Sequence, residues 1–181
     1  MKPIQLVLLS GGDRELGLGR MEHLAAALTH TFRTECRIHP DSFDISFARD
    51  SRRGQYYSTA ILQRLERDNA ADVRILGITA NDLYVPVLTF VFGEAQLEGN
   101  CAVLSTIRLE QEFYGLPHDE DLFRDRLLKE AVHELGHTFG LRHCRDWSCV
   151  MTSSNGVELV DVKGAGFCRS CRQPVFQRVW S

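Results

Sequence analysis

The chain has 181 residues, 44% of them apolar, 25% charged and 9% aromatic, which is enough to bury one sizeable core and too apolar for a disordered chain. With 21 Lys and Arg against 24 Asp and Glu, the formal net charge of −3 removes the electrostatic case for a nucleic-acid or membrane-surface binder. No apolar run approaches the roughly 20 residues of a membrane helix, and Leu6-Val7-Leu8-Leu9 is cut off by Gly11-Gly12-Asp13-Arg14 too soon for a signal peptide. The expectation is a soluble cytoplasmic protein, monomeric by size.

In chain order, Ile4 to Leu9 is a short apolar run closed by Gly-Gly, as in a buried first strand. Gly11 and Gly12, with Gly17 and Gly19 after them, fit neither phosphate-binding pattern and read as a strand-to-helix turn needing positive φ. Arg20 to Phe32 carries Met21, Leu24, Ala25, Leu28 and Phe32 at helical spacing. Arg37 to Phe47 alternates weakly as a second strand, and Gln55 to Arg67 is an amphipathic helix with Ala60, Ile61, Leu62 and Leu65. Val73 to Thr79 reads as a strand, as do Val85 to Phe92 despite Pro86 and Asn100 to Ile107 after a Gly-Asn turn. Strands alternating with helices predict an α/β fold in one domain over residues 1–181: a twisted mixed sheet with helices in three layers.

A helix of about 119–140 follows, with Leu122, Leu128, Ala131, Val132, Leu135 and Phe139 on one stripe, Asp and Arg on the other side, and Gly140 as a left-handed cap. Beyond it, residues 141–181 show little periodicity and need something besides a large core to hold them.

The segment His133-Glu134-Leu135-Gly136-His137-Thr138-Phe139-Gly140-Leu141-Arg142-His143 carries the chemistry. At about 3.6 residues per turn, His133 and His137 project from one helix face and can share a metal ion. Glu134 is offset by about 100°, beside the metal and not on it. Gly140 lets the chain turn so that His143 returns as a third nitrogen. Three neutral imidazoles with an open fourth position describe a catalytic zinc site. Such a zinc lowers the pKa of its water from about 15.7 towards 7, and Glu134 is placed to act as general base.

A second constellation begins at the next residue. Cys144 and Cys149, then Cys168-Arg169-Ser170-Cys171, form two close thiol pairs joined by a loop, the spacing of a closed all-cysteine zinc site. Zinc there would contribute folding free energy to the aperiodic tail. A redox C-x-x-C is the alternative, disfavoured because it would leave Cys144 and Cys149 idle and is expected not to open a helix. Cys36 and Cys101 lie far from these and read as buried or incidental thiols. Arg169, Arg172 and Arg178 make the tail basic, yet without aromatic-basic interleaving they do not amount to a nucleic-acid module.

His133-Glu134-x-x-His137-x-x-Gly140-x-x-His143 resembles the metzincin signature, and Met151 resembles the methionine of a Met-turn. Cys144, Cys149-Val150-Met151 and Cys168-x-x-Cys171 resemble the archaemetzincins in particular. That resemblance implies a zinc metallopeptidase with two zinc ions per chain. His133, His137 and His143 would hold the catalytic zinc, Cys144, Cys149, Cys168 and Cys171 the structural one, with Glu134 as base and Met151 as an apolar floor. It further implies action on peptides or small proteins, with aminopeptidase-like release of N-terminal residues as one form. Gly99 to Ile107 is the expected edge strand for an extended substrate, and Phe113, Tyr114, Leu116 and His118 the expected rim of the cleft. No pro-segment cysteine is expected, since the chain starts directly into its first strand. The alternatives are a non-proteolytic zinc amide hydrolase and a latent peptide-binding zinc protein; intact Glu134 argues against the latter.

Overall fold

A computed structural model describes residues 1–14, 16–68 and 72–177, the last of these, Gln177, by its backbone alone. Arg178, one of the three tail arginines, lies outside the described residues. The apolar N-terminal run forms β1 (Ile4–Ser10), and α1 (Leu18–Phe32) buries Met21, Leu24, Ala25, Leu28 and Phe32, the five residues its spacing selects. Gly11, at φ +85°, makes the turn between them.

The expected second strand is two fragments, β2 (Cys36–Ile38) and β3 (Phe43–Asp44), both parallel to β1. Two short strands, β4 (Arg49–Asp50) and β5 (Gln55–Tyr57), precede α2 (Ser58–Asp68), so the amphipathic helix starts three residues later than its sequence suggests. Strand β6 (Arg74–Thr79) is buried throughout. β7 (Leu83–Tyr84) pairs with β5 in a small separate sheet.

With β8 (Gly93–Ala95) and β9 (Cys101–Ser105), the main sheet has the order β2-β1-β6-β9-β8, with β3 also on β1; all pairings are parallel except that of β8 with β9. Two expectations fail here. Val85 to Phe92 is not a strand: it holds a turn and a single bridge from Val91 to Leu83, and the strand, β8, is Gly93–Ala95. Asn100 to Ile107 contains β9 (Cys101–Ser105), but that strand is interior, paired with β6 on one side and β8 on the other. Its continuous apolar run reflects burial on both faces, which an edge strand lacks. The edge on this side of the sheet is β8.

The sheet's two faces bury separate sets of side chains. Ile4, Leu6, Leu76, Ile78, Ala102 and Leu104 face α1 and α3 (Glu120–Thr138). Val7, Leu9, Ile75 and Val103 face Ile61, Leu62 and Leu65 of α2. Helix, sheet and helices therefore make the three layers that the alternating pattern predicts.

α3 is the central helix. Asp119 caps it by accepting from the Leu122 N–H at 3.0 Å. Phe123 and Leu127 are core residues, while the expected Leu122 and Leu128 are half-buried. The reason is that the side opposite the sheet is covered as well: Arg126 makes a two-pronged pair with Asp161 at 2.6 and 2.7 Å. Asp161 lies on α4 (Val157–Val162), within the tail that lacks periodicity. At its C-terminal end α3 is tied to β6, since the Arg74 guanidinium donates to the Thr138 carbonyl and hydroxyl and stacks 3.7 Å above the Phe139 ring. The last described element of the tail is α5 (Arg169–Gln177).

Candidate metal centre

α3 presents His133 and His137 one turn apart, and Gly140, at φ +87°, ends the helix and redirects the chain. The Gly140 N–H donates to the His137 carbonyl at 2.8 Å. That turn brings His143 back, with ring centroids 5.3 Å from His133 and 5.0 Å from His137. One ligand nitrogen from each histidine lies within 4.8 Å of the other two.

The hydrogen bonds fix how these rings are protonated. His133 Nδ1 lies 2.8 Å from the Val150 carbonyl and His137 Nδ1 lies 2.7 Å from the Leu141 carbonyl. A carbonyl only accepts, so each Nδ1 carries the proton and each Nε2 keeps its lone pair. The two Nε2 atoms face each other at 3.1 Å. Burial pushes all three histidines below their ordinary pKa, so both rings are neutral near pH 7 and their lone pairs repel. A cation between them removes that conflict, which is the fit expected of a zinc site with oriented imidazoles.

Glu134 lies beside the cluster and is buried. Burial first, and then the neighbouring Glu130 carboxylate, push its pKa well above the ordinary range, while the Lys163 ammonium opposes the shift. Its approach to the sheet depends on Gly93 of β8: a Cβ there would stand 2.6 Å from Glu134 Cγ. Beneath the helix Met151 is fully buried, and a Cβ on Gly136 would stand 2.4 Å from its Sδ.

The second cluster is built from the tail. Ligand sulfurs of Cys144, Cys149, Cys168 and Cys171 all lie within 4.8 Å of one another. Cys144 Sγ and Cys168 Sγ are 3.8 Å apart. That is far beyond the roughly 2.05 Å of a disulfide and matches the edge of a tetrahedron of roughly 2.3 Å zinc–sulfur bonds. Backbone N–H groups of Asp146 and Cys168 point at Cys144 Sγ and Cys149 Sγ, each at 3.4 Å, as suits thiolate acceptors. Cys168 immediately precedes α5, so the C-x-x-C pair does open a helix, contrary to expectation. What weighs against a redox pair is the convergence of all four sulfurs. Cys36 and Cys101 belong to neither cluster; burial pushes their thiols up to about 12 and about 11, so neither is reactive.

A cleft of about 510 Å³ opens over the histidines. Its lining includes His133, His137, His143 and Glu134, β8 with the segment before it, and Ser153 to Asn155. Phe113, Tyr114, Leu116 and His118, expected at its rim, do not line it. Phe113 instead packs on Tyr114 and under the Arg108 guanidinium, and His118 lies 2.6 Å from Glu112. The sequence also gives no sign of Glu130, Lys163, Glu94 or Gly93. The one available hint was that Glu130 sits four residues before Glu134, on the same helix face.

Residues 44–177 match the profile of Peptidase family M54. The archaemetzincin of Methanocaldococcus jannaschii is 43% identical over 143 residues, covering 79% of this chain and 78% of that protein. The archaemetzincin of Archaeoglobus fulgidus is 42% identical over 156 residues, or 86% of this chain and 90% of that one. Its crystal structure superposes with a TM-score of 0.81 at 39% identity over 95% of this chain and 99% of that chain. The Methanopyrus kandleri archaemetzincin structure gives 0.82 at 34% identity, over 99% of this chain and 97% of that chain. No described helix is long and apolar enough to cross a membrane. From the family match, the fold and the two clusters together, the chain belongs to the archaemetzincins of peptidase family M54 and is a zinc metallopeptidase.

Proposed function

We propose that His133, His137 and His143 hold the catalytic zinc through their Nε2 atoms and that Glu134 is the general base for peptide-bond hydrolysis. The observation that carries this reading is the pair of Nε2 lone pairs 3.1 Å apart, each fixed by a carbonyl on the far side of its ring. Zinc held by these three histidines would supply Lewis acidity, the chemistry that makes water nucleophilic near neutral pH and polarises a scissile carbonyl. Glu134 takes the proton from the attacking water on its carboxylate and returns it to the leaving amine as the C–N bond breaks. Its burial keeps bulk water from competing for that proton. An extended peptide docks along the outer edge of β8, where main-chain groups can continue the sheet.

Cys144, Cys149, Cys168 and Cys171 hold a second, structural zinc, giving two per chain, and Met151 is the Met-turn floor under the catalytic one. The 141–181 segment is thereby stapled into a single catalytic domain. Four thiolates need a reducing compartment, which favours the cytoplasm, and the working unit is a monomer. Substrates are peptides and small proteins, N-terminal trimming included; a cleft of about 510 Å³ suits a few side chains at a time. The test is a cleavage profile of zinc-loaded protein on a diverse peptide library beside Glu134→Gln, with zinc measured in both. Cleavage by the wild type alone, at two zincs per chain in each, is expected. Equal cleavage by the variant would remove Glu134 from the mechanism, and no cleavage by either would favour a latent or non-peptide role.

A further inference from the structure

The hydrolytic reading gives Glu130 no chemical step. It lies one turn before Glu134 on α3, on the same face, and lines the cleft although only 3% exposed. Lys163 Nζ forms a buried ion pair with its Oε1 at 2.6 Å, outside the geometry of a well-formed hydrogen bond. Lys163 is also held from behind, 3.3 Å from the Thr152 carbonyl, and does not line the cleft. A second lining residue, Ser154, has a buried Oγ with no hydrogen-bond partner among the described residues. Among the described residues, a Ser154 hydroxyl without a partner and a Glu130 carboxylate held by one ion pair both leave acceptor capacity for a donor entering the cleft. The cleft walls beside them are apolar, with Leu88, Phe90, Phe92 and Leu97. Glu94 and Glu134 line the cleft along with Glu130, whereas no Lys or Arg among the described residues does.

We propose that Glu130 determines specificity, selecting substrates that carry a lysine or arginine side chain beside the scissile bond. The aliphatic stem packs on the apolar walls while the cationic tip donates to the Glu130 carboxylate and the Ser154 hydroxyl. An acidic side chain meets a carboxylate there, and an aliphatic one offers neither oxygen a donor. The inference rests on the peptidase reading and names its substrate class.

A matched pair of peptides, with lysine or norleucine placed on either side of the scissile bond, tests it. Wild type is expected to favour lysine roughly ten- to a hundredfold in kcat/KM, chiefly through KM. Glu130→Gln alone would strand the Lys163 charge, so the Glu130→Gln/Lys163→Met double variant is the informative one. In it the lysine-to-norleucine ratio should fall towards one; a ratio that survives while both rates drop together overturns the proposal. Zinc-loaded Glu134→Gln gives the same comparison as affinity without turnover. Tighter binding of the lysine peptide supports the specificity even if nothing is cleaved, in which case the hydrolytic reading fails alone. Equal rates in wild type overturn the specificity and leave the peptidase standing. Equal affinity, or no binding of either peptide, also overturns it.

Discussion

The three-histidine and four-cysteine clusters sit next to each other in the chain, at His143 and Cys144, but are built in opposite ways. Two of the three histidines ride on α3, a helix buried on nearly every side and capped at its start by Asp119. Their geometry is set by a helix that packing would form with or without metal. The cysteines come from turns and the start of α5, where backbone N–H groups lie 3.4 Å from two of the sulfurs and the Cys144 and Cys149 amides donate to the Met151 and Asp146 carbonyls. Donors on a rigid element can leave a coordination position open for chemistry, whereas donors on loops need the ion to complete the structure.

The largest effect expected from this contrast is on stability at the cysteines. Cys168→Ser should cost several kcal/mol, a share of the ~10–16 kcal/mol that a structural zinc contributes in small zinc-binding peptides. Hydrogen exchange should show residues 144–177 losing protection while the sheet keeps it; an unchanged melt with full protection would break the contrast. Glu134→Gln, on the rigid side, should lower kcat by about 10²–10⁴-fold with zinc content and melting temperature nearly unchanged.

Gly136→Ala tests whether α3 and Met151 are as tightly fitted as the structure has them. The added Cβ, 2.4 Å from Met151 Sδ, should cost about 1–3 kcal/mol in thermal or denaturant unfolding. Acid probes the metal-stripped protein. The three histidines have folded pKa values below their unfolded value of about 6.5, so the unfolded chain takes up protons first. Stability should therefore hold above that pH and decline as pH falls through and below it, measured by melts across pH 8 to 5. The smallest effect is at the helix start, where Asp119→Ala should cost about 1 kcal/mol through loss of the cap.

The two clusters were legible in the sequence because their information is local: i and i+4 on one helix, a glycine at the turn, paired thiols. The same holds for α1, whose five spaced apolar residues are its buried face. What escaped depends on partners distant in the chain. Periodicity sees the apolar run in β9 but not that β8 lies outside it, so the edge was misplaced. Arg126 and Glu130 look like solvent-facing charges on an amphipathic helix; only the fold brings Asp161 and Lys163 over them. α5 has Pro174 inside it and few apolar residues, which hides its helical character.

The sheet's pairing also bears on how the molecule is made. β1 has no neighbour from a hairpin; its long partner is β6, with Ile4 opposite Arg74, and β6 in turn waits for β9. Among the described strands of this main sheet, only β8 and β9 are close in sequence and antiparallel. Such a sheet has high contact order, so loop closure must precede the contacts that reward it, and folding is slow for the chain's length. During synthesis the first strand is left without its main partner until β6 has emerged from the ribosome. The histidine and cysteine clusters follow later still, so both assemble after the sheet that supports them can form.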